Sequence, residues 1–96
     1  MLEFEWDEDK KERNFTQHGL DFFDVLPLFS KPDKLIFEDT RKDYGEKRYI
    51  LMGELNSLFL QIVFTIRKTK IRLISARRGN KRERRTYDEN QKTTNH

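Results

Sequence analysis

Cysteine is absent from this 96-residue chain, so neither a disulfide nor a thiolate metal site can form. Its two histidines, His18 and His96, stand far apart and offer no metal-ligand set. There is no glycine-rich phosphate loop and no Gly-x-Ser-x-Gly turn, so neither a nucleoside-triphosphate site nor a nucleophile-elbow hydrolase is indicated. No apolar run approaches the ~20 residues that span a bilayer. The opening, MLEFEWDEDK, is acidic where a signal peptide has a basic region. A cytoplasmic protein with no membrane contact is expected. Hydrophobic residues are scarce, at 34% against 39% charged, which points to a thin core. Eight phenylalanines and one tryptophan compensate in part, because each large aromatic buries roughly 150–250 Å².

What the chain does have is charge, unevenly placed. Residues 67–85 hold ten Lys/Arg and one acid, Glu83, whereas residues 1–66 hold nine basic and fourteen acidic side chains. The formal net charge of +3 therefore belongs to a polarised molecule. A concentrated basic surface on a small domain is what a phosphate-rich partner requires.

The length suits one domain, expected over residues 1–88, with a polar flexible tail over 89–96. Leu2 to Trp6 alternates apolar and acidic residues, as a half-buried strand does. Asp7 is placed to cap a first helix and Gly19 to stop it, with His18 in the last turn. Asp21 caps a second helix whose Phe22, Val25, Leu26 and Phe29 form an apolar stripe. Pro27 inside that stripe kinks or shortens it. Leu35 to Glu38 reads as a short strand, RKDYGE as a loop, and Arg48 to Met52 as the start of another strand. Glu54 to Ser57 reads as a turn, followed by a long alternating strand from Leu58 to Ile66 that should be well buried. After the RKTK turn, Ile71, Leu73 and Ser75 alternate with Arg72, Ile74 and Ala76. Turns this short make the strands an antiparallel meander. Gly79 to Asp88 is the expected basic closing helix. The fold class is α+β.

Two kinds of basic residue can be separated. Lys81, Arg82, Arg84 and Arg85 suit sequence-independent contact with backbone phosphates, unless they form only a solvated helix face. Arg72 sits within a buried-looking strand, on the face expected to hold Ile74 and Ala76, and Arg77 closes that strand. A guanidinium there needs a carboxylate or a cleft. Arg48 heads another strand, with Glu46 and Asp39 as possible structural partners. The alternative to simple ion pairing is a cluster that neutralises a phosphorane-like transition state, which requires bidentate, permanently charged donors. Lys10, Asn14 and His18 share one helix face at i, i+4 and i+8.

WDEDKKERNFTQHG, YGEKRYILMG and IRLISARRGNKRERRTY, taken in order, resemble the BrnT family of type II toxin–antitoxin toxins over about Phe4 to Tyr87. The matching positions are Trp6, Asp7, Lys10, Asn14, His18 and Gly19, then Gly45, Glu46 and Arg48, then Arg72, Ser75, Ala76 and Arg77, with Arg82, Glu83, Arg84 and Tyr87 beyond. The resemblance implies a RelE-like fold and a metal-independent, cofactor-free endoribonuclease that cleaves mRNA and inhibits growth. It also implies a BrnA-like antitoxin, two toxins with two antitoxins, which alone would contact operator DNA. The expected catalytic residues are Arg48, Arg72 and Arg77, with His18 or Glu46 as acid or base and Tyr49 as a substitute acid. Lys10, Asn14, Ser75, Arg78, Lys81, Arg82 and Arg85 are expected to hold RNA. Two departures stand out, Pro27 and the Arg78-Gly79-Asn80 run, which is expected to loosen the start of the last helix. A non-catalytic module binding nucleic acid or an antitoxin is the rival expectation.

Overall fold

The alternating N-terminus forms β1 (Glu3–Glu5), and Asp7 then caps α1 (Glu8–His18) as expected, its side chain accepting from the Asp9 and Lys10 amides. Gly19 ends α1 at φ 72°, a left-handed conformation that suits glycine. These elements belong to a computed structural model that describes residues 2–94. Asp21 caps the next segment, but only one turn is α-helical: α2 (Phe22–Val25) passes directly into a 3₁₀ segment, Leu26–Ser30. Pro27 lies in the first turn of that segment, where its missing amide hydrogen costs nothing. The expected shortening is therefore observed, and the tighter turn also brings Leu28 into the core.

The strands β2 (Leu35–Glu38), β3 (Arg48–Leu55), β4 (Leu58–Arg67) and β5 (Lys70–Arg78) form the antiparallel meander. β1 adds to the outer side of β5 in parallel, giving the order β1-β5-β4-β3-β2. The turn after β3 is tighter than expected, because Asn56 and Ser57 both take positive φ, as a two-residue hairpin loop requires. On one face of the sheet, Phe22, Val25, Leu28 and Phe29 pack on Leu51, Leu60, Ile62, Phe64, Leu73 and Ala76. That cover stops short of one end. Ile66 is 54% exposed rather than buried, and it lines an apolar groove with Leu2, Ile36, Tyr49 and Ile71.

The opposite face is covered at one end only, by α3 (Lys81–Thr94), whose buried Tyr87 meets Ile50 and Met52. α3 begins at Lys81 rather than Gly79 and continues to Thr94 rather than stopping at Asp88, so the segment expected to be a flexible tail is helical as far as Thr94. Asn95 and His96 lie outside the described residues. The start of α3 is not loosened. Asn80 Oδ1 accepts from the Glu83 amide at 2.8 Å and Glu83 Oε1 accepts from the Asn80 amide at 2.8 Å, a reciprocal capping box. Gly79 is also required, because a Cβ there would collide with the Phe59 ring.

One irregularity decides what faces the open side. Opposite Val63 stands Ser75, and opposite Phe64 stands Leu73, so Ile74 is an extra residue, a β-bulge. Strict alternation places Arg72 with Ile74 and Ala76. The bulge overturns this expectation: Ala76 joins Leu73 in the core, and Arg72 shares the open face with Ser75 and Arg77. One inserted residue thus gathers three side chains that regular pleating would divide.

Candidate active site on the arginine face

Cross-strand register defines a transverse row on the open face. Glu5 pairs with Arg72, Arg72 with Thr65, and Thr65 with Arg48. The Asp39 amide donates to the Arg48 carbonyl at 2.7 Å, so Asp39 closes the row. Its order is carboxylate, arginine, threonine, arginine, carboxylate. Arg72 and Arg48 are two strands apart, which separates their backbones by roughly 10 Å. The next positions on the same face are Ser75 and Val63, followed by Arg77 and Gln61.

Each guanidinium is held by a carboxylate. Arg72 Nη1 donates to Glu5 at 3.0 Å, Arg48 Nε to Glu46 at 3.2 Å, and Arg77 binds Glu83 through two bonds of 2.9 and 2.6 Å. Arg77 also donates to Gln61 Oε1 at 3.1 Å. Arg48 therefore has Glu46 as its partner, while Asp39 pairs with Arg41 at 2.8 Å. Being half-buried, these arginines lose less freedom on meeting a ligand than mobile surface side chains would.

The carboxylates keep their charge. The Arg77 guanidinium holds Glu83 below the usual carboxylate range against the opposing effect of burial, with the Asn80 amide and the nearby Arg41 charge assisting. Burial pushes Glu46 up, but Arg48 and Arg67 beside it prevail and leave it lowered. Glu46 is thus ionised at neutral pH, the form that accepts a proton.

His18 and Lys10 stand off the row. They line an open groove of about 260 Å³ between α1 and the outer edge of β5, together with Ser75 and the bulged Ile74. Asn14 is placed differently from the expected RNA contact. It is buried, its Oδ1 accepts from the Ala76 amide at 3.0 Å, and its Nδ2 donates to the Ala76 and Leu20 carbonyls at 2.9 and 3.0 Å. Its amide satisfies the part of β5 that β1 is too short to cover. Tyr49 faces away, stacked on Phe64 with centroids 5.5 Å apart on the core side, so the sheet separates it from the Arg48 side chain. Arg78, Lys81, Arg82 and Arg85 are exposed where β5 passes into α3. Arg84 is tied to Glu54 and Asp88 and lies over the Phe59 ring. Glu46 lies by β3 and His18 beyond β5, so the two candidate acid–base groups flank the face from opposite sides.

Tyr44, Arg41, Thr65 and Gln61 were not singled out from the sequence. Thr65 and Gln61 sit beside Arg72 and Arg77 in register and are buried polar residues. A pairing of β4 with β5 that allowed for the bulge would have found them. Among the described residues, no three His, Cys, Asp or Glu side chains converge as a metal site, and no helix is long and apolar enough to cross a membrane.

A small α+β domain that presents fixed guanidinium groups across one sheet face carries the donor set suited to phosphate. A sequence model of the family described as ribonuclease toxin, BrnT, of type II toxin–antitoxin system matches residues 6–83. The chain belongs to that family, one of ribonuclease toxins, and the family implies an antitoxin partner and an RNA target. A search of curated proteins finds no match.

Proposed function

We propose that this toxin is an endoribonuclease that cleaves mRNA by transesterification without a metal or cofactor, and so inhibits translation and growth. The substrate 2′-OH attacks the adjacent phosphorus, the 5′-oxygen leaves, and a 2′,3′-cyclic phosphate remains. Glu46, beside Arg48 at the head of β3, is assigned as the base that takes the 2′-OH proton. His18, in the groove beside Ser75, is assigned as the acid that protonates the leaving oxygen. Arg72, Arg48 and Arg77 neutralise the charge that grows on the equatorial oxygens. Lys10, Ser75, Arg78, Lys81, Arg82 and Arg85 hold the RNA backbone. The carrying observation is the row Glu5–Arg72–Thr65–Arg48–Asp39, two oriented arginines about two strand spacings apart on a half-open face.

A BrnA-like antitoxin neutralises the toxin in a complex of two toxins and two antitoxins, and operator DNA is contacted only through the antitoxin. The cytoplasm is the site of action. Induced expression tests the reading. The wild-type chain should arrest growth, co-expressed antitoxin should relieve the arrest, and Arg72→Ala should abolish it while remaining folded. Normal arrest by a folded, well-expressed Arg72→Ala protein removes Arg72 from the mechanism.

A further inference from the structure

The loop between β2 and β3 contains an ordered group of side chains that the proposed reaction does not use. Asp39 is buried, yet its carboxylate accepts three side-chain hydrogen bonds. Arg41 supplies two of them in a fork, Nε to Oδ1 at 2.8 Å and Nη2 to Oδ2 at 2.9 Å. The Tyr44 hydroxyl supplies the third, to Oδ2 at 2.9 Å. The Arg41 amide also donates to Oδ1 at 3.2 Å. The face of the Tyr44 ring is also engaged: the Arg48 guanidinium lies over it, 4.3 Å from the centroid.

The two ends of this cluster differ in exposure. The Asp39 side chain is 1% exposed and that of Arg41 65% exposed. An ion pair to a solvent-exposed arginine is ordinarily worth little, but bidentate geometry such as this is the exception. Here the anchor is fixed in the sheet row and the cation projects into solvent, which orients an arginine without enclosing it. Asp39 continues the row beside Arg48, so the Arg41 bound to it projects at the end of the arginine face.

We infer that Asp39 is a positioning residue with two branches: it holds Arg41 out as a fourth arginine that binds an RNA backbone phosphate, and through the Tyr44 ring it fixes Arg48 for the reacting phosphate. This rests on the ribonuclease reading above for the Arg48 branch, but the Arg41 branch requires only that RNA binds this face. The branches are separable because of what asparagine preserves. Asp39→Asn keeps an oxygen to accept from Tyr44 but removes the charge that orients Arg41.

The test is steady-state cleavage of a single-stranded RNA oligonucleotide, with equilibrium binding of its uncleavable 2′-O-methyl analogue measured across salt concentrations. Arg41→Ala should raise KM about tenfold, the loss expected for one charge-assisted hydrogen-bond pair, with kcat within about twofold. The slope of log affinity against log salt should fall by about 0.7, one phosphate contact on a single strand. Asp39→Asn should reproduce that pattern. Tyr44→Ala should instead lower kcat about tenfold at nearly constant KM, and Tyr44→Phe, which keeps the ring beneath Arg48 but loses its bond to Asp39, should fall between Tyr44→Ala and wild type. Wild-type KM and salt slope in folded Arg41→Ala overturn the first branch. Wild-type kcat in Tyr44→Ala or in Tyr44→Phe overturns the second. If the wild-type chain leaves RNA uncut, the ribonuclease reading and the Arg48 branch both fall, and the Arg41 branch is decided by analogue binding alone.

Discussion

Asn14→Ala removes the side chain that joins α1 to the sheet, and its cost follows from three hydrogen bonds. The Asn14 amide bonds the Ala76 amide, the Ala76 carbonyl and the Leu20 carbonyl at 2.9–3.0 Å, and Asn14 is 5% exposed. Alanine leaves these three backbone groups without that partner. Each intramolecular hydrogen bond contributes about 1 kcal/mol net, and a buried group left unpaired costs about 1–3 kcal/mol. The groove beside α1 lets water reach part of the site, which limits the total to about 2–4 kcal/mol. For a domain of this size 1 kcal/mol corresponds to about 4–8 °C in Tm, so the midpoint should fall by roughly 10–25 °C. Asn14→Asp should recover little of this, because a carboxylate accepts from the Ala76 amide but confronts two carbonyl oxygens without a donor. Urea unfolding of wild type and both variants measures the difference. A loss below about 0.5 kcal/mol for Asn14→Ala would refute the view that this side chain fixes α1 to β5.

Other outcomes follow from the same structure. Gly79→Ala forces the Phe59 ring off Tyr87 and from beneath Arg84, and this overpacking should cost about 1–3 kcal/mol; an unchanged urea midpoint contradicts it. Tyr87→Phe deletes the hydroxyl that donates to the Asp33 carbonyl at 2.8 Å and should cost about 1 kcal/mol, whereas Tyr87→Ala removes the aromatic anchor and should expose α3 to protease. Asp39 is held well below the usual carboxylate range, first by the Arg41 side chain and against the effect of burial. A carboxyl lowered on folding stabilises fully above its unfolded value, about 4, and that contribution is lost as pH falls towards its folded value. The stability gap between wild type and Asp39→Asn should therefore be constant from about pH 7 to 5 and narrow below about pH 4; a gap that widens on acidification contradicts the assignment.

Local chemistry was legible in the sequence, and geometry that depends on pairing was not. Asp7, Gly19 and Asp21 announced the helix ends because caps are local devices, and each is a cap in the structure. The short strand Leu35–Glu38 has its expected bounds, and the alternation from Leu58 to Ile66 marks the long strand to within one residue of its end at Arg67. The bulge at Ile74 has no such mark, since it exists only in the register of β5 against β4. Strict alternation groups Arg72 with Ile74 and Ala76, whereas the bulge puts it beside Ser75 and Arg77. The Arg78-Gly79-Asn80 run looks like a loose start to α3, but Asn80 and Glu83 close a capping box that the departure from the family pattern does not reveal. Asn14 has helix-face spacing that suits a ligand contact, but its actual partner is backbone 62 positions away. Arg41 and Tyr44 lie in a loop whose composition says only that it turns. Their link to Asp39 and Arg48 appears once the ladder places Asp39 opposite Arg48.

The central claim is that the paired arginines of the open face stabilise metal-free cleavage of RNA. The most direct measurement is incubation of the purified toxin with RNA in excess EDTA, alongside folded Arg72→Ala and Arg48→Ala variants, with product ends identified by mass. Wild-type protein should yield fragments ending in 2′,3′-cyclic phosphate, and each variant should cut at least about a hundredfold more slowly, as loss of one preorganised charge donor implies. RNA that the wild-type protein retards in a gel but leaves intact, or cleavage by the arginine variants at the wild-type rate, would contradict the account.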